Sequence, residues 1–232
     1  MSNGNRFAVI GLGQFGYSVA RNLAARGAEV LAIDKDIDLV EEIKDDVAYA
    51  VALDATDFKA LSSQSIADMD AVLVAIGENT EGLLLTVVQL LELKAKRIIA
   101  RAMSQQQKLI LQKLGITEIL SPEEEVGMMI AEMLLNPNMK AIMPLPDSYE
   151  IVEIQVPRRV FKRSLKDIGL AENFRLELIA IKRKYEEYFD ARKRSVEHLI
   201  IRPSEDTELE YSDVIIVLGK SQDVGKFIEF NK

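Results

Sequence analysis

The feature that most constrains the fold is an alternation of short apolar runs with segments of helix length over the first half of the chain. The runs carry little charge, which is typical of strands covered on both faces. Strands that alternate with helices form βαβ units and a parallel sheet. We therefore predict a Rossmann-like, doubly wound α/β domain over residues 1–121, with strands at 7–10, 29–33, 48–53, 71–76, 97–100 and 117–120.

The next segment, residues 122–148, is predicted to be a helix followed by a linker with prolines at 137, 144 and 146. Pro122 suits the first turn of a helix, and the acids at 123–125 suit its positive end. From Val126 to Leu135 only Glu132 is charged, so the helix is apolar on nearly every side. It could be clamped between the chain's own two domains. We favour a helix that crosses onto a second subunit, where pliable methionines fill an irregular interface.

The remainder of the chain, residues 149–232, has the pattern of a small α+β domain. Strands are predicted at 149–156, 176–183 and 213–219, with one short helix near the end. Residues 182–198 are dense in charge and form either a long hairpin or an exposed loop. A solvated face explains this charge better than a binding arm does.

Composition excludes several classes of function. The net charge of -8 disfavours nucleic-acid binding, which basic surfaces drive. Zero cysteines exclude a disulfide framework and a thiol nucleophile. No apolar run approaches the roughly 18 residues of a membrane span, and the first residues lack a secretory signal. We predict a cytoplasmic protein that binds no nucleic acid and reaches a membrane only through a protein partner.

A glycine-rich segment after the first strand predicts a nucleotide site. Gly11 allows a tight turn, Gly13 lets the backbone approach a pyrophosphate, and Gly16 lets helix and strand pack closely. Asp34 ends the second strand 18 residues beyond Gly16, where a carboxylate accepts hydrogen bonds from an adenosine ribose. Its charge disfavours a 2'-phosphate, so NADP is disfavoured while NAD(H), ATP and ADP stay open.

Further candidate residues follow later strands, at the edge where open α/β sheets bind ligands. Arg101 either neutralises phosphate or forms a surface ion pair. Asp54 and Thr56 either border the adenine or cap a helix. The predicted ligand site comprises Gly11, Gly13, Gln14, Phe15, Gly16, Asp34, Lys35, Asp54, Ala55, Thr56, Ile76, Gly77, Asn79 and Arg101.

Groups that a dehydrogenase needs are missing from the sequence pattern. The one histidine, His198, lies in the charged segment and is a surface residue by its context. No hydrolase, P-loop or metal-ligand motif occurs. Binding without turnover fits better, and no catalytic residue is predicted. The alternatives are a small NAD-dependent oxidoreductase and, less favoured, a sensor acting on transcription.

Several segments in order resemble the RCK family, regulators of potassium conductance, in particular the single-repeat Ktr/Trk-type gating subunits. These are "FAVIGLGQFG" with "VLAID", then "ALDATD", "VLVAIGEN", "RIIARA" and "LGITEILSPEEEVG", followed by "RSLKDIGLAENFRLELIAIKR" and "IIRPSEDTELEYSDVIIVLG". The resemblance implies a non-enzymatic regulator that dimerises through the crossover helix. It further implies an octameric ring beneath a membrane potassium-translocating subunit, which gates the pore through ATP/ADP exchange or NAD(H).

The resemblance also concerns individual residues. Glu123 matches a position where relatives place a carboxylate near the nucleotide phosphates of a dimer partner, sometimes with a divalent cation such as Mg²⁺ or Ca²⁺. A first-turn helix acid explains Glu123 equally well. Many relatives have an arginine directly after the second glycine where this chain has Gln14, which puts a strong preference for ATP over ADP in doubt. Some relatives bind cyclic di-AMP on the carboxyl-terminal domain, and no motif here decides that point.

Overall fold

The protein, seen in a computed structural model that describes residues 5–189 and 192–232, divides into two compact units. The amino-terminal unit ends at Glu124, and the carboxyl-terminal unit runs from Glu125 to Lys232. The three-part division predicted from the sequence, with boundaries at 121/122 and 148/149, stays a prediction.

A six-stranded parallel sheet forms the centre of the amino-terminal unit, in the order β3-β2-β1-β4-β5-β6. The order reverses between β1 and β4, which is the switch point where such sheets open a crevice for ligands. Each predicted strand is present to within a few residues. The strands are β1 Arg6–Ile10, β2 Glu29–Asp34, β3 Tyr49–Ala52, β4 Ala71–Val74, β5 Ile98–Arg101 and β6 Glu118–Leu120.

Helices cover both faces of this sheet, which is why its central strands are apolar without alternation. Ala8 and Ile10 pack into one core with α3, α4 and α5, while Val9 points into the other core with α1 and α2. The helices are α1 Gln14–Ala25, α2 Ile37–Ile43, α3 Phe58–Ser62, α4 Thr80–Glu92 and α5 Gln105–Lys113.

Helix α6, Pro122–Leu135, buries none of its residues in a hydrophobic core. None of its 14 residues, all of which the structure describes, is buried, and Leu134 and Leu135 are 77% and 75% exposed. Such exposure of a helix this apolar leaves its surface without a packing partner among the residues that the structure describes. Over residues 5–189 and 192–232, no helix combines the length and hydropathy that a bilayer crossing requires.

The carboxyl-terminal unit is a five-stranded antiparallel sheet in the order β10-β9-β11-β8-β7. Its strands are β7 Met139–Pro144, β8 Tyr149–Gln155, β9 Glu177–Phe189, β10 Arg192–Ile201 and β11 Val214–Lys220. The helices α7 Leu165–Ile168, α8 Leu170–Phe174 and α9 Ser221–Phe230 share one core with the sheet, in which Phe227 is fully buried.

One strand of this sheet, β7, was not predicted, and β10 forms the hairpin that the sequence left open against an exposed loop. The proline-marked linker contains β7, because Met139 is buried in the core and Pro144 ends a strand at the sheet edge, where its missing N–H costs no ladder bond. The charged segment 182–198 forms a hairpin, since β9 and β10 pair from Ala180 with Ile201 to Phe189 with Arg192. The tip, residues 190 and 191, lies outside the described residues.

A buried ion pair joins β9 to the loop before β11. The Asp213 carboxylate is fully buried and accepts two hydrogen bonds from Arg183, at 2.9 and 2.7 Å. It also accepts a bond of 2.8 Å from the backbone N–H of Glu210, while Arg183 donates to the carbonyl of Glu208. Both charges are therefore satisfied, as buried charges must be.

Candidate functional site

A cavity of about 950 Å³ opens at the carboxyl ends of the parallel strands, and we call it the edge cavity. All the predicted site residues except Gly16 line it, and so does Glu123. It also includes residues that the sequence did not single out as ligand contacts. These are Ile10, Leu53, Ala75, Glu78, Glu81, Gly82, Leu85, Thr86 and Met103. The structure thus brings together residues from the ends of β1, β2, β3, β4 and β5, and their role in binding stays a prediction.

The glycine-rich turn has two glycines that the fold requires, Gly11 and Gly16, and one that the fold does not, Gly13. A Cβ atom at Gly16 would lie 1.9 Å from the Gly11 carbonyl oxygen, so no side chain fits there. Gly11 has a φ of 95°, the left-handed region that favours glycine. At Gly13, by contrast, a Cβ atom would meet no protein atom within 4 Å. The protein itself therefore leaves room for a side chain at Gly13, which lines the edge cavity.

The start of α1 offers free backbone donors to the edge cavity. Gly13 occupies the N-cap position and has no side chain to accept from the first N–H groups. Asp36, Asp57, Asn79 and Ser104 perform that task for α2, α3, α4 and α5. A phosphate at the start of α1 would supply the missing acceptor and meet the positive end of the helix.

Asp34 is held in place at the end of β2. One carboxylate oxygen accepts from the backbone N–H of Leu12 at 2.6 Å, and the other accepts from that of Asp36 at 2.9 Å. These bonds tie the acid to the glycine-rich turn and leave lone pairs on both oxygens. The geometry suits a carboxylate that accepts from ribose hydroxyls, as the sequence predicted.

The segment after β3 contains a local turn. Asp54 accepts from the hydroxyl of Thr56 at 2.7 Å and from its N–H at 2.9 Å. The hydroxyl bond is the main cause that lowers the pKa of Asp54 below its ordinary value. The helix cap that the sequence allowed for Asp54 or Thr56 is wrong, because Asp57 caps α3. Both residues therefore remain available as walls of the edge cavity.

Arg101 lines the edge cavity, and most of its side chain is buried. Its side chain is 15% exposed and forms an ion pair with Glu123, in the first turn of α6. The guanidinium carbon lies 5.3 Å from the centroid of the Phe15 ring, within cation–π range. The surface ion pair that the sequence allowed is thus an ion pair at the cavity wall. The hydrogen bond from Arg101 lowers the pKa of the Glu123 carboxyl.

Gln107 joins two loops behind the cavity wall, and the sequence reasoning missed it. The residue is buried, accepts from the N–H of Met103 at 2.6 Å, and donates to the Gly77 carbonyl and the Thr80 hydroxyl. It therefore fixes the loop after β4 relative to the loop after β5. A glutamine in a helical pattern gave no signal, because Gly77 and Thr80 lie 30 and 27 residues away in sequence.

Two further residues that the sequence raised are His198, which lies outside the edge cavity, and Glu123, whose role as a metal ligand stays open. His198 is on β10, edge-on to Tyr185 with ring centroids 5.4 Å apart, and thus belongs to the carboxyl-terminal unit. Within the described part of the chain, no group of three histidine, cysteine or acidic residues could hold a metal ion. Glu123 as a ligand for Mg²⁺ or Ca²⁺ stays a prediction.

The chemistry of the edge cavity fits an adenine nucleotide. Gly13 leaves backbone room for a pyrophosphate, the start of α1 offers donors, and Asp34 is placed for a ribose. Among the described residues, the Nε of Arg101 is buried without a hydrogen-bond partner. The fold and site together define a class, a Rossmann-type domain of nucleotide-binding design joined to a small antiparallel α+β unit.

The chain belongs to the family of proteins that combine a TrkA-N domain with a TrkA-C domain. These two family profiles match residues 7–122 and 149–232, which confirms the resemblance to RCK proteins. The chain is 32% identical over 221 residues to Ktr system potassium uptake protein C of Bacillus subtilis (strain 168), covering 95% of each chain. It is 30% identical over 222 residues to protein A of the same system and organism, covering 96% of this chain and 95% of that one.

Among solved structures, the chain is similar to the GsuK channel bound to NAD. The TM-score is 0.63 at 13% sequence identity, and the match covers 99% of this chain and 40% of that one. At this identity the likeness concerns the fold alone. It confirms the predicted architecture of a Rossmann-like sheet followed by a small α+β subdomain.

Proposed function

We propose that the protein is a regulatory, nucleotide-binding subunit of a potassium uptake system. In this proposal it lies in the cytoplasm against a membrane potassium-translocating partner and binds no nucleic acid. The full-length similarity to Ktr system potassium uptake proteins supports the role. The single structural observation that carries it is the edge cavity, where the glycine-rich turn and Asp34 meet.

The regulatory ligand in this proposal is ATP, ADP or NAD(H). Asp34 would hold the adenosine ribose, and Gly11, Gly13 and the start of α1 would hold the pyrophosphate. Such a ligand changes a gate only when it binds the two conformations of the subunit with different affinity. Cyclic di-AMP on the carboxyl-terminal unit and a divalent cation near Glu123 are expectations from the family resemblance and stay predictions.

The proposed assembly is a ring of eight subunits built from dimers. A closed ring of dimers needs two different interfaces on each subunit. Helix α6 supplies one apolar surface, and the exposed side of α4 and α5 supplies another. The second surface consists of Leu85, Val88, Leu91, Leu109 and Ile110, each at least 40% exposed. We propose that a second copy covers each of them, with α6 forming the dimer.

Native mass spectrometry of two variants tests this assembly. We expect Leu134→Glu and Leu91→Glu each to stop assembly at a species smaller than the octamer, because each places a charge in one apolar interface and leaves the other interface intact. Glu125→Gln on the exposed start of α6 is the control and keeps the wild-type mass. A wild-type chain that is monomeric at micromolar concentration refutes the ring.

A regulator without catalysis is favoured over the small NAD-dependent oxidoreductase. The relatives that are similar to this chain over 95% or more of its length are named for potassium uptake. The ionisable side chains that line the edge cavity are carboxylates, Lys35 and Arg101. NADH turnover with a small carbonyl substrate that Asp34→Ala abolishes would revive the enzyme.

Potassium flux tests the function directly. The protein is reconstituted with its membrane partner in liposomes, and flux is measured with ATP, ADP, NADH or no nucleotide. We expect at least one nucleotide to change the flux, and Asp34→Ala to remove that change. Equal flux under all four conditions would refute gating.

A further inference from the structure

Three neighbours hold the Arg101 guanidinium at the wall of the edge cavity. The Phe15 ring lies on one side at 5.3 Å, and Glu123 binds one terminal nitrogen. At Gly77, an added Cβ atom would lie 3.2 Å from the other terminal nitrogen and 2.5 Å from the sulfur of Met103. Gly77 thus gives Arg101 and Met103 the room they occupy. These contacts hold the guanidinium in one position along the cavity wall.

Among the charged side chains that line the edge cavity, acids outnumber cations. The acids are Asp34, Asp54, Glu78, Glu81 and Glu123, and the cations are Lys35 and Arg101. Each phosphate added to a nucleotide brings about one further negative charge or more. Gln14, beside the glycine-rich turn, supplies a hydrogen bond but no positive charge. A longer phosphate chain therefore needs the positive charge of Arg101, which is already paired with Glu123.

We propose that Arg101 is the residue that discriminates the length of the phosphate chain, and that Glu123 is a built-in competitor for it. This inference rests on the proposed nucleotide binding. A terminal phosphate takes the place of the Glu123 carboxylate on Arg101, whereas the single phosphate of AMP at the start of α1 leaves the pair intact. Because Glu123 stands in the first turn of α6, the exchange changes the contact between the start of α6 and the end of β5.

The competitor role and a metal-ligand role for Glu123 predict opposite signs. A competitor weakens polyphosphate binding, so its removal tightens that binding. A ligand of a nucleotide-bound cation strengthens it, so its removal weakens binding when the cation is present. Chelator isolates the first effect, because without free divalent cations a metal-ligand role has no influence.

Titration calorimetry with AMP, ADP and ATP in EDTA provides the test. We expect Glu123→Gln to tighten ADP or ATP binding about threefold to tenfold and to leave AMP binding unchanged. Glu124→Gln is the matched control, since it removes the same charge one residue on, where the carboxylate bonds to Gln105 instead. It should change all three affinities by less than about twofold. Arg101→Gln should weaken ADP and ATP binding and cancel the effect of Glu123→Gln in the double variant.

Each remaining outcome has a defined meaning. Equal effects of Glu123→Gln and Glu124→Gln, or weaker ATP binding by Glu123→Gln in EDTA, would overturn the inference. AMP binding that depends on Asp34, together with an unchanged ratio of ATP to AMP affinity in Glu123→Gln, overturns the inference and leaves the proposed function standing. No binding of any nucleotide by the wild-type protein refutes both.

Discussion

Alanine substitutions at Gly13 and Gly16 separate the two reasons for which the turn carries glycine. At Gly16 the new Cβ atom would lie 1.9 Å from the Gly11 carbonyl oxygen, more than 1 Å inside the closest contact that Cβ atoms make. The backbone of the turn must move, and we expect Gly16→Ala to cost about 3 kcal/mol or more. For a unit of this size that lowers the melting temperature by about 10 °C.

Gly13→Ala should leave folding nearly unchanged and impair binding. Its φ of -60° and ψ of 179° suit alanine, and no protein atom lies within 4 Å of the added methyl. The lower entropy of the unfolded chain favours alanine by about 0.4–1 kcal/mol, and the poorer N-cap offsets a similar amount. A pyrophosphate in contact with the backbone would collide with the methyl, so nucleotide affinity should fall at least about tenfold, or 1.4 kcal/mol.

The two variants are compared by urea denaturation and by titration with ADP. The expected pattern is a stable Gly13→Ala that binds poorly and a Gly16→Ala that is destabilised. Wild-type affinity in Gly13→Ala would show that no phosphate approaches this backbone. Equal destabilisation of both variants would show that the glycines serve the turn alone.

Three further predictions concern single side chains. Asp34→Asn should weaken AMP, ADP and NADH alike by about tenfold in titration calorimetry, because one ribose acceptor is lost; a loss confined to one nucleotide would contradict this. Asp213→Asn should cost the carboxyl-terminal unit about 3 kcal/mol in urea denaturation, because the mostly buried Arg183 loses a buried carboxylate and, among the described residues, keeps an ion pair with the exposed Glu210. A cost below about 1 kcal/mol would place that pair in effective contact with water. Burial raises the pKa of Glu150 in the folded protein, so ionising this carboxyl as pH rises costs the folded state stability. Glu150→Gln should therefore stabilise this unit at pH 7–8 and lose that advantage below about pH 4, as thermal melts across pH would show.

The parallel sheet was predictable because its signal is local. Each central strand is an unbroken apolar run, and each run is followed by a helix of ordinary length. The glycine spacing and Asp34 also lie within one βαβ unit, so a short window of sequence contains the whole pattern. The predicted class of fold is accordingly confirmed.

Strands β7 and β10 of the carboxyl-terminal unit lack a local signal, so the sequence missed β7 and left β10 open between a hairpin and a loop. In β7, prolines and methionines read as a linker, and only pairing with β8 makes the segment a strand. In β10, the alternation is hidden by charges that solvent tolerates on an edge strand. Strand formation there depends on the partner strand, which sequence periodicity does not contain.

The site residues divide in the same way. Gly11, Gly16 and Asp34 follow from the sequence, because a turn, a close packing contact and a strand end each demand one residue type at one spacing. The pairing of Arg101 with Glu123, and the role of Gln107 behind the cavity wall, join residues 22 and about 30 positions apart along the chain. Only the tertiary structure decides such contacts, because the strand order places the ends of distant strands at one edge and burial then selects which charges meet.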